Sequence, residues 1–181
     1  MEFKTDRLRL WLPEANQAKR MIDYYLRNRG HLKRWEPLRT DHFYTEEYWA
    51  AQLAQNQVDA SNRVAYRMGI ELREGDDDRP VIGVVNISNV IRGSFQAAHV
   101  GYSIDALHTR QGLMTEALNG VVEFAFAELD LHRLMANYIP SNAASARTLA
   151  KAGFEKEGFA KRYLLINDVW EDHVLTSRIK A

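Results

Sequence analysis

Residues 100–129 read VGYSIDALHTRQGLMTEALNGVVEFAFAEL. The stretch opens extended, passes through a polar turn holding one glycine, Gly112, and continues into a long amphipathic helix. Met114, Ala117, Leu118, Val121, Ala125 and Leu129 recur every three or four residues and so share one helical face. A strand that ends in a polar loop at a helix N-terminus points several unpaired backbone N–H groups the same way, and the helix dipole adds partial positive charge there. Such a junction suits phosphate. The stretch is therefore expected to hold a phosphorylated cofactor, to which the rest of the chain brings a substrate.

Upstream, Leu8, Leu10 and Leu12 alternate with Arg7, Arg9 and Trp11 as in a half-buried strand, which Pro13 stops. A helix is predicted over residues 14–27, with Ala18, Met21, Ile22 and Tyr25 on one face and Gly30 marking its end. Residues 31–40 are irregular around Pro37, and Thr45 caps a further helix with Glu46 and Glu47 in its first turn and Trp49 and Leu53 inward. Val64, Tyr66, Met68, Ile70 and Leu72 alternate as in an antiparallel strand with one wet face. An acidic turn at 74–78, a strand over 81–90, a turn at Arg92-Gly93-Ser94 and a strand over 97–104 complete a meander.

Downstream of the central helix, residues 133–139 read as a strand, and Asn142 caps a short helix carrying Ala146, Leu149 and Ala150 inward. Gly153 sits where a helix-ending residue with positive φ belongs, with Phe154 closing over it. Strands over 162–166 and 169–176 flank Asn167-Asp168, a two-residue hairpin signal. The pattern is that of a single α/β domain over residues 1–181, with a largely antiparallel sheet flanked by helices.

Composition narrows the functional classes. The 181 residues carry 24 basic and 24 acidic side chains, which argues against a dominant nucleic-acid surface. There is no cysteine, hence no disulfide, thiolate nucleophile or cysteine metal site. His31, His42, His108, His132 and His173 show no metal-ligand spacing, so no metal site is expected. No apolar run suggests a signal peptide or a membrane span, and a cytoplasmic protein is the expectation.

The loop itself, Thr109 to Thr115, lacks the Gly-Lys-Ser/Thr ending of a P-loop and the three spaced glycines of a dinucleotide fingerprint. It resembles the coenzyme A pyrophosphate loop of the GNAT N-acetyltransferases, Gln/Arg-x-x-Gly-x-Gly/Ala. Gly112 takes the central position and Arg110 supplies a cation, while Thr109 and Met114 depart from the pattern. About thirty residues on, Pro140-Ser141-Asn142-Ala143-Ala144-Ser145 and then LAKAGFEKEG (149–158) resemble the family's second element, an Asn-x-x-Ser helix ending in Gly-Phe and an acidic, glycine-containing turn. TDRLRL (5–10), RWEP (34–37), SNVIRGSF (88–95) and YLLINDVWEDHVL (163–175) extend the likeness over almost the whole chain. The chain is thus similar to the RimJ/RimL group of ribosomal-protein-alanine N-acetyltransferases, its RimJ branch above all.

The resemblance implies a splayed sheet whose diverging strands, ending near Ile104 and running over 133–139, admit the pantetheine arm of acetyl-CoA. The backbone of Tyr102, Ser103 and Ile104 would pair with that arm, whose amides satisfy an open strand edge. The N–H groups of Arg110, Gln111, Gly112, Leu113, Met114 and Thr115 would hold the pyrophosphate, with a charge-assisted contact from Arg110. Asn142 caps its helix, binds the cofactor, or does both. A backbone N–H near Ile104 would meet the oxyanion.

Many family members carry a tyrosine acid seven residues after the asparagine; here that residue is Leu149. Ser145 is the nearest substitute as a donor to the leaving sulfur, its alternative being a serine that only caps the helix. Glu36 is the candidate base, against the reading of a plain surface charge. His99 and Tyr138 flank the cleft, Glu116 complements the helix dipole, and Trp35, Trp49 and Trp170 are core or acceptor-site walls. An α-amine, with a pKa of roughly 7.7–8.0 against about 10.4 for lysine, asks little of such a base. With no cysteine, transfer is direct rather than through a thioester on the protein. The implied acceptor is the N-terminal alanine of a small-subunit ribosomal protein, free or on the ribosome, with the enzyme a monomer or homodimer. The rivals are a small-amine (polyamine or antibiotic) acetyltransferase and a non-catalytic acetyl-CoA-binding ribosome assembly partner.

Overall fold

A computed structural model describes residues 1–74 and 79–180. Its strands are β1 (Glu2–Lys4), β2 (Leu8–Trp11), β3 (Tyr66–Leu72), β4 (Gly83–Ile91), β5 (Ala97–Ile104), β6 (Arg133–Tyr138), β7 (Glu155–Ile166) and β8 (Val169–Ile179). Its α-helices are α1 (Ala18–Arg27), α2 (Arg29–Leu32), α3 (Glu46–Ser61), α4 (Leu113–Ala127) and α5 (Ala143–Lys151). The strands form one sheet in the order β1-β2-β3-β4-β5-β6-β8-β7. Every neighbouring pair is antiparallel except β5 and β6.

That parallel pair is short. It holds only at Ala97–Arg133, Ala98–Leu134 and His99–Met135. Beyond it β5 stays with β4, opposing Tyr102 to Val85 and Ile104 to Gly83, while β6 follows β8, opposing Ala136 to Thr176 and Tyr138 to Val174. The sheet therefore splits at the strands expected to diverge.

Apolar side chains close both faces. On one, Leu118, Val121 and Ala125 of α4 pack with Met68, Val85, Ala98 and Leu134 in a continuous core. On the other, α1 and α3 cover Trp11 and Val84 with a cluster in which Tyr25 stacks on Trp49 at 5.1 Å and meets Phe43 edge-on at 4.9 Å.

Local chemistry sets the helix ends. The Thr45 hydroxyl accepts from the Tyr48 N–H at 3.2 Å, a cap worth about 1 kcal/mol. The Asn142 Oδ1 accepts from the Ser145 N–H at 3.0 Å. At the far end of α5, Gly153 adopts φ +75°, while the N–H groups of Gly153 and Phe154 reach the carbonyls of Ala150 and Leu149. This closes the helix as a Schellman motif. Asn167 and Asp168 both take positive φ between β7 and β8, as a tight hairpin with right-handed strand twist requires.

Five expectations are corrected. The first helix ends at Arg27 as expected, but Gly30 does not mark that end: it lies inside α2, and the Asn28 side chain instead turns back onto the Tyr24 carbonyl. Neither face of β3 is wet along its length: Glu71 is 1% exposed, held by Arg9 at 2.8 Å and Arg20 at 2.5 Å. Val64 lies before that strand and is exposed. Ala150 is exposed and Ala152 is buried in its place. The acidic, glycine-containing turn after Phe154 is instead the first half of β7, paired from Glu155 onto Ser177. The acidic turn at 74–78 lies, beyond Glu74, outside the described residues. No helix among them is long and apolar enough to cross a membrane.

Candidate active site

The split between β5 and β6 opens a cavity of about 270 Å³. Gly101, Tyr102 and Ser103 of β5 line one wall, Asn137 and Tyr138 of β6 another, and Asn142 and Ser145 of α5 its end. Across from them stand Trp35, Glu36 and Arg39 from the loop after α2, with Leu164, Ile166 and His173 from the terminal hairpin. The loop and hairpin are joined where the Asn167 N–H donates to the Glu36 carbonyl at 3.1 Å. An ideal Cβ added to Gly101 meets nothing within 4 Å, so the missing side chain is open cleft.

Two polar groups of contrasting character face this space. The Glu36 carboxyl is raised above the ordinary carboxylate range by burial, against the pull of Arg39, whose Nη2 lies 3.5 Å from Oε2. The Tyr102 hydroxyl lies 2.6 Å from Ser145 Oγ. Burial, together with Tyr138, pushes Tyr102 up to about 12, although the hydrogen bond to Ser145 favours ionisation. It keeps its proton at neutral pH.

At the other end of β5, Asp105 anchors the loop leading to α4. Burial opposes its ionisation, yet hydrogen bonds from Asn28 Nδ2, the Leu107 N–H and Arg27 Nε bring its pKa down to about 2. The loop then turns through left-handed conformations at Arg110 (φ 62°) and Gly112 (φ 76°). Gly112 accepts that conformation without a Cβ penalty. Among the described residues, the backbone N–H groups of Arg110, Gln111, Gly112, Leu113, Met114 and Thr115 have no acceptor. Glu116, one turn into α4, does more than complement a dipole. Its carboxylate accepts from Thr5 Oγ1 (2.6 Å), the Arg7 N–H (2.8 Å) and Arg7 Nε (2.7 Å), while Arg7 Nη1 donates to the Gln111 carbonyl (3.1 Å). The Thr5-Asp6-Arg7 motif thus fastens the loop from outside.

A strand pair that splits beside a loop of free N–H groups fits a ligand with an amide-bearing arm and a pyrophosphate. The acetyltransferase (GNAT) domain family matches residues 7–155. The chain belongs to the GNAT acetyltransferase family. As a member of it, it takes its acetyl group from acetyl-CoA. It is 43% identical over 177 residues to the ribosomal protein uS5-alanine N-acetyltransferase of Escherichia coli, covering 98% of this chain and 90% of that one. The crystal structure of the ribosomal-protein-S5-alanine acetyltransferase from Vibrio fischeri superposes with a TM-score of 0.92 at 40% identity, over 99% of this chain and 96% of that one. Mycobacterium smegmatis RimJ, solved in complex with CoA-disulfide, superposes at 0.87 with 28% identity, over 95% of this chain and 81% of that one.

In this acetyltransferase the two residues expected to carry catalysis, Glu36 and Ser145, line one cavity although 109 positions separate them. Ser145 Oγ does not cap α5, because Asn142 fills that role through the Ser145 N–H. Tyr138 lines the cleft, whereas His99 sits at the last paired register before the split, its Nδ1 buried and without a partner. Trp35 is a wall, Trp49 belongs to the aromatic core, and Trp170 is exposed. Ser103 Oγ pairs with the Tyr24 hydroxyl at 2.9 Å, tying α1 to the cleft.

Several lining positions lay outside the sequence-based expectation, three of them close to the reacting groups or polar. These are Gly101, the side chain of Tyr102, and His173, which is 4% exposed with its Nδ1 3.0 Å from the Glu171 carbonyl. A signal existed for Tyr102. Strand alternation puts its side chain on the α4 face with Val100 and Ile104, the face from which α5 presents Ser145.

Proposed function

We propose that this protein is a single-domain enzyme that transfers acetyl directly from acetyl-CoA to the α-amine of the N-terminal alanine of a small-subunit ribosomal protein in the cytoplasm. The observation that carries the reading is the convergence of Glu36, Ser145 and Tyr102 on one cavity at the sheet's split. The names of the similar proteins from Escherichia coli and Vibrio fischeri support the acceptor.

Acetyl-CoA supplies the activated acetyl thioester. In the proposed arrangement the free N–H groups from Arg110 to Thr115 hold the pyrophosphate, and the open edge of Tyr102, Ser103 and Ile104 pairs with the arm. Glu36 accepts the proton that the acceptor amine loses as its nitrogen bonds to the acetyl carbon. Its raised pKa brings it closer to that of the amine. The Ser145 hydroxyl, backed by Tyr102, donates to the sulfur released when the C–S bond breaks. The proton delivered there is restored to the Ser145–Tyr102 pair from Glu36 through solvent, so the protein ends as it began.

Glu36 is the one carboxylate among the described lining residues and is paired with Arg39. A polyamine calls for more negative charge than that, which favours a peptide amine over a small polycation. The test is to incubate the protein with labelled acetyl-CoA and a panel of N-terminal peptides. Label on the α-amine of alanine-first peptides is expected. Label only on small amines, or on lysine side chains but not α-amines, overturns the acceptor assignment.

A further inference from the structure

Beside the catalytic cleft lies a second cavity of about 220 Å³, between α1, α3 and the sheet. The two share Tyr25, Arg39, Val84 and Asn86 in their linings, so they lie side by side against the same four residues. Tyr25, Phe43 and Trp49 give the second cavity aromatic walls. No carboxylate is among its described lining residues.

Its donors are out of balance. Trp49 is 6% exposed, and its indole Nε1 is buried with no acceptor. Arg39 Nε is likewise buried and without an acceptor, although Arg39 Nη2 reaches Glu36 and its guanidinium lies 4.5 Å over the Phe43 ring. Arg67, also on the lining, is already matched by Asp59 at 2.7 Å and Asn56 at 3.1 Å. A buried donor left unpaired forfeits the hydrogen bonds it would make to water, with nothing in return. Two such donors, from different elements on one cavity next to the reacting groups, call for an acceptor that arrives with the substrate. In a peptide, the group that accepts from both and carries charge opposite to Arg39 is a side-chain carboxylate.

We infer that this cavity is a specificity pocket that takes an aspartate or glutamate side chain from one of the first few residues after the acetylated one. The inference rests on the reading of the acceptor as a peptide α-amine, and it goes further by specifying the acceptor's sequence.

The test uses the full-length protein, acetyl-CoA and otherwise neutral alanine-first hexapeptides in which glutamate is moved through positions two to five. Alanine, glutamine and lysine are the matched controls. At one position glutamate is expected to raise kcat/KM over alanine by about 10-fold, as one charge-assisted hydrogen bond allows, and lysine is expected to fall below alanine. Trp49→Phe, which keeps a ring and removes the N–H, is expected to shrink the glutamate-to-alanine ratio. A merely structural role would lower both rates together and leave the ratio intact. Acetylation of the neutral peptides with no glutamate preference at any position, or a preference for lysine, overturns the pocket and leaves the α-amine reading standing. No acetylation of any peptide α-amine overturns both.

Discussion

The hydroxyls of Tyr102 and Ser145 lie 2.6 Å apart, where β5 has left its pairing with β6 and α5 begins. Neither group alone suits the protonation of a leaving thiolate, because both hold their protons far above neutral pH. Together they form a donor chain from a half-buried phenol to a hydroxyl on the cleft wall. Ser145→Ala is expected to lower kcat by about 100-fold, the low end of general acid–base effects, with the KM for acetyl-CoA within about 2-fold. Tyr102→Phe is expected to behave the same way. The double variant should be little worse than either single one, since groups acting as a unit do not add. Steady-state rates on one peptide decide it. Fully additive losses would separate the two residues.

Glu36→Gln tests the base through pH. Burial raises the carboxyl pKa, so the ionised, proton-accepting form is lost at a higher pH on acidification than for an ordinary glutamate. The acidic limb of the kcat/KM profile is expected to track that titration in the wild type and to vanish in the variant, with kcat down by about 100-fold or more. The stability consequence has the opposite sign. A carboxyl whose folded pKa is raised stabilises the fold below its unfolded pKa, and that contribution is lost as pH rises through the folded value. Removing the charge should therefore leave Tm at neutral pH unchanged or higher. A loss of both activity and Tm would mark Glu36 as structural.

These two sites also show what can be read from a chain. Caps at Thr45 and Asn142, the Gly153 closure and the bounds of β5 were legible, because each depends on neighbours within a few positions. Gly30 misled because a glycine signals a helix end only when nothing nearer supplies one, and Asn28 does so through its own side chain. The dry second face of β3 was not legible. Glu71 is polar by pattern and buried only because Arg9 and Arg20 arrive from other elements. At the site, Ser145 and Glu36 could be named from motif and context. The phenol behind Ser145 could not, since alternation gives a face but no partner.

Gly101→Val tests the cleft geometrically. A Cβ at this position meets no protein atom within 4 Å, so the larger side chain projects into the cavity at the split, and valine suits a strand. The dissociation constant for acetyl-CoA, by calorimetry, is expected to rise about 10-fold or more while Tm stays within a few degrees. Unchanged binding would move the cofactor's arm away from β5.

Asp105 is where the end of α1, the end of β5 and the loop before α4 are tied together. Its carboxylate, 2% exposed, takes hydrogen bonds from Arg27, Asn28 and the Leu107 N–H, and Asn28 Oδ1 in turn accepts from the Ala106 N–H at 3.0 Å. Its folded pKa of about 2 lies below the ordinary aspartate value, so its stabilising contribution is complete above about pH 4 and is lost as pH falls toward 2. Asp105→Asn keeps the shape and removes the charge, leaving Arg27 without its carboxylate. It is expected to cost about 2 kcal/mol at neutral pH, measured by urea unfolding, and the deficit should narrow as the wild type is acidified toward pH 2. The loop beyond carries the free N–H groups proposed to hold the pyrophosphate, so the same variant is expected to raise the KM for acetyl-CoA several-fold at a temperature where it remains folded. A stability loss with unaltered KM would show that α1 is held by Asp105 while the loop is positioned by Glu116 and Arg7 alone.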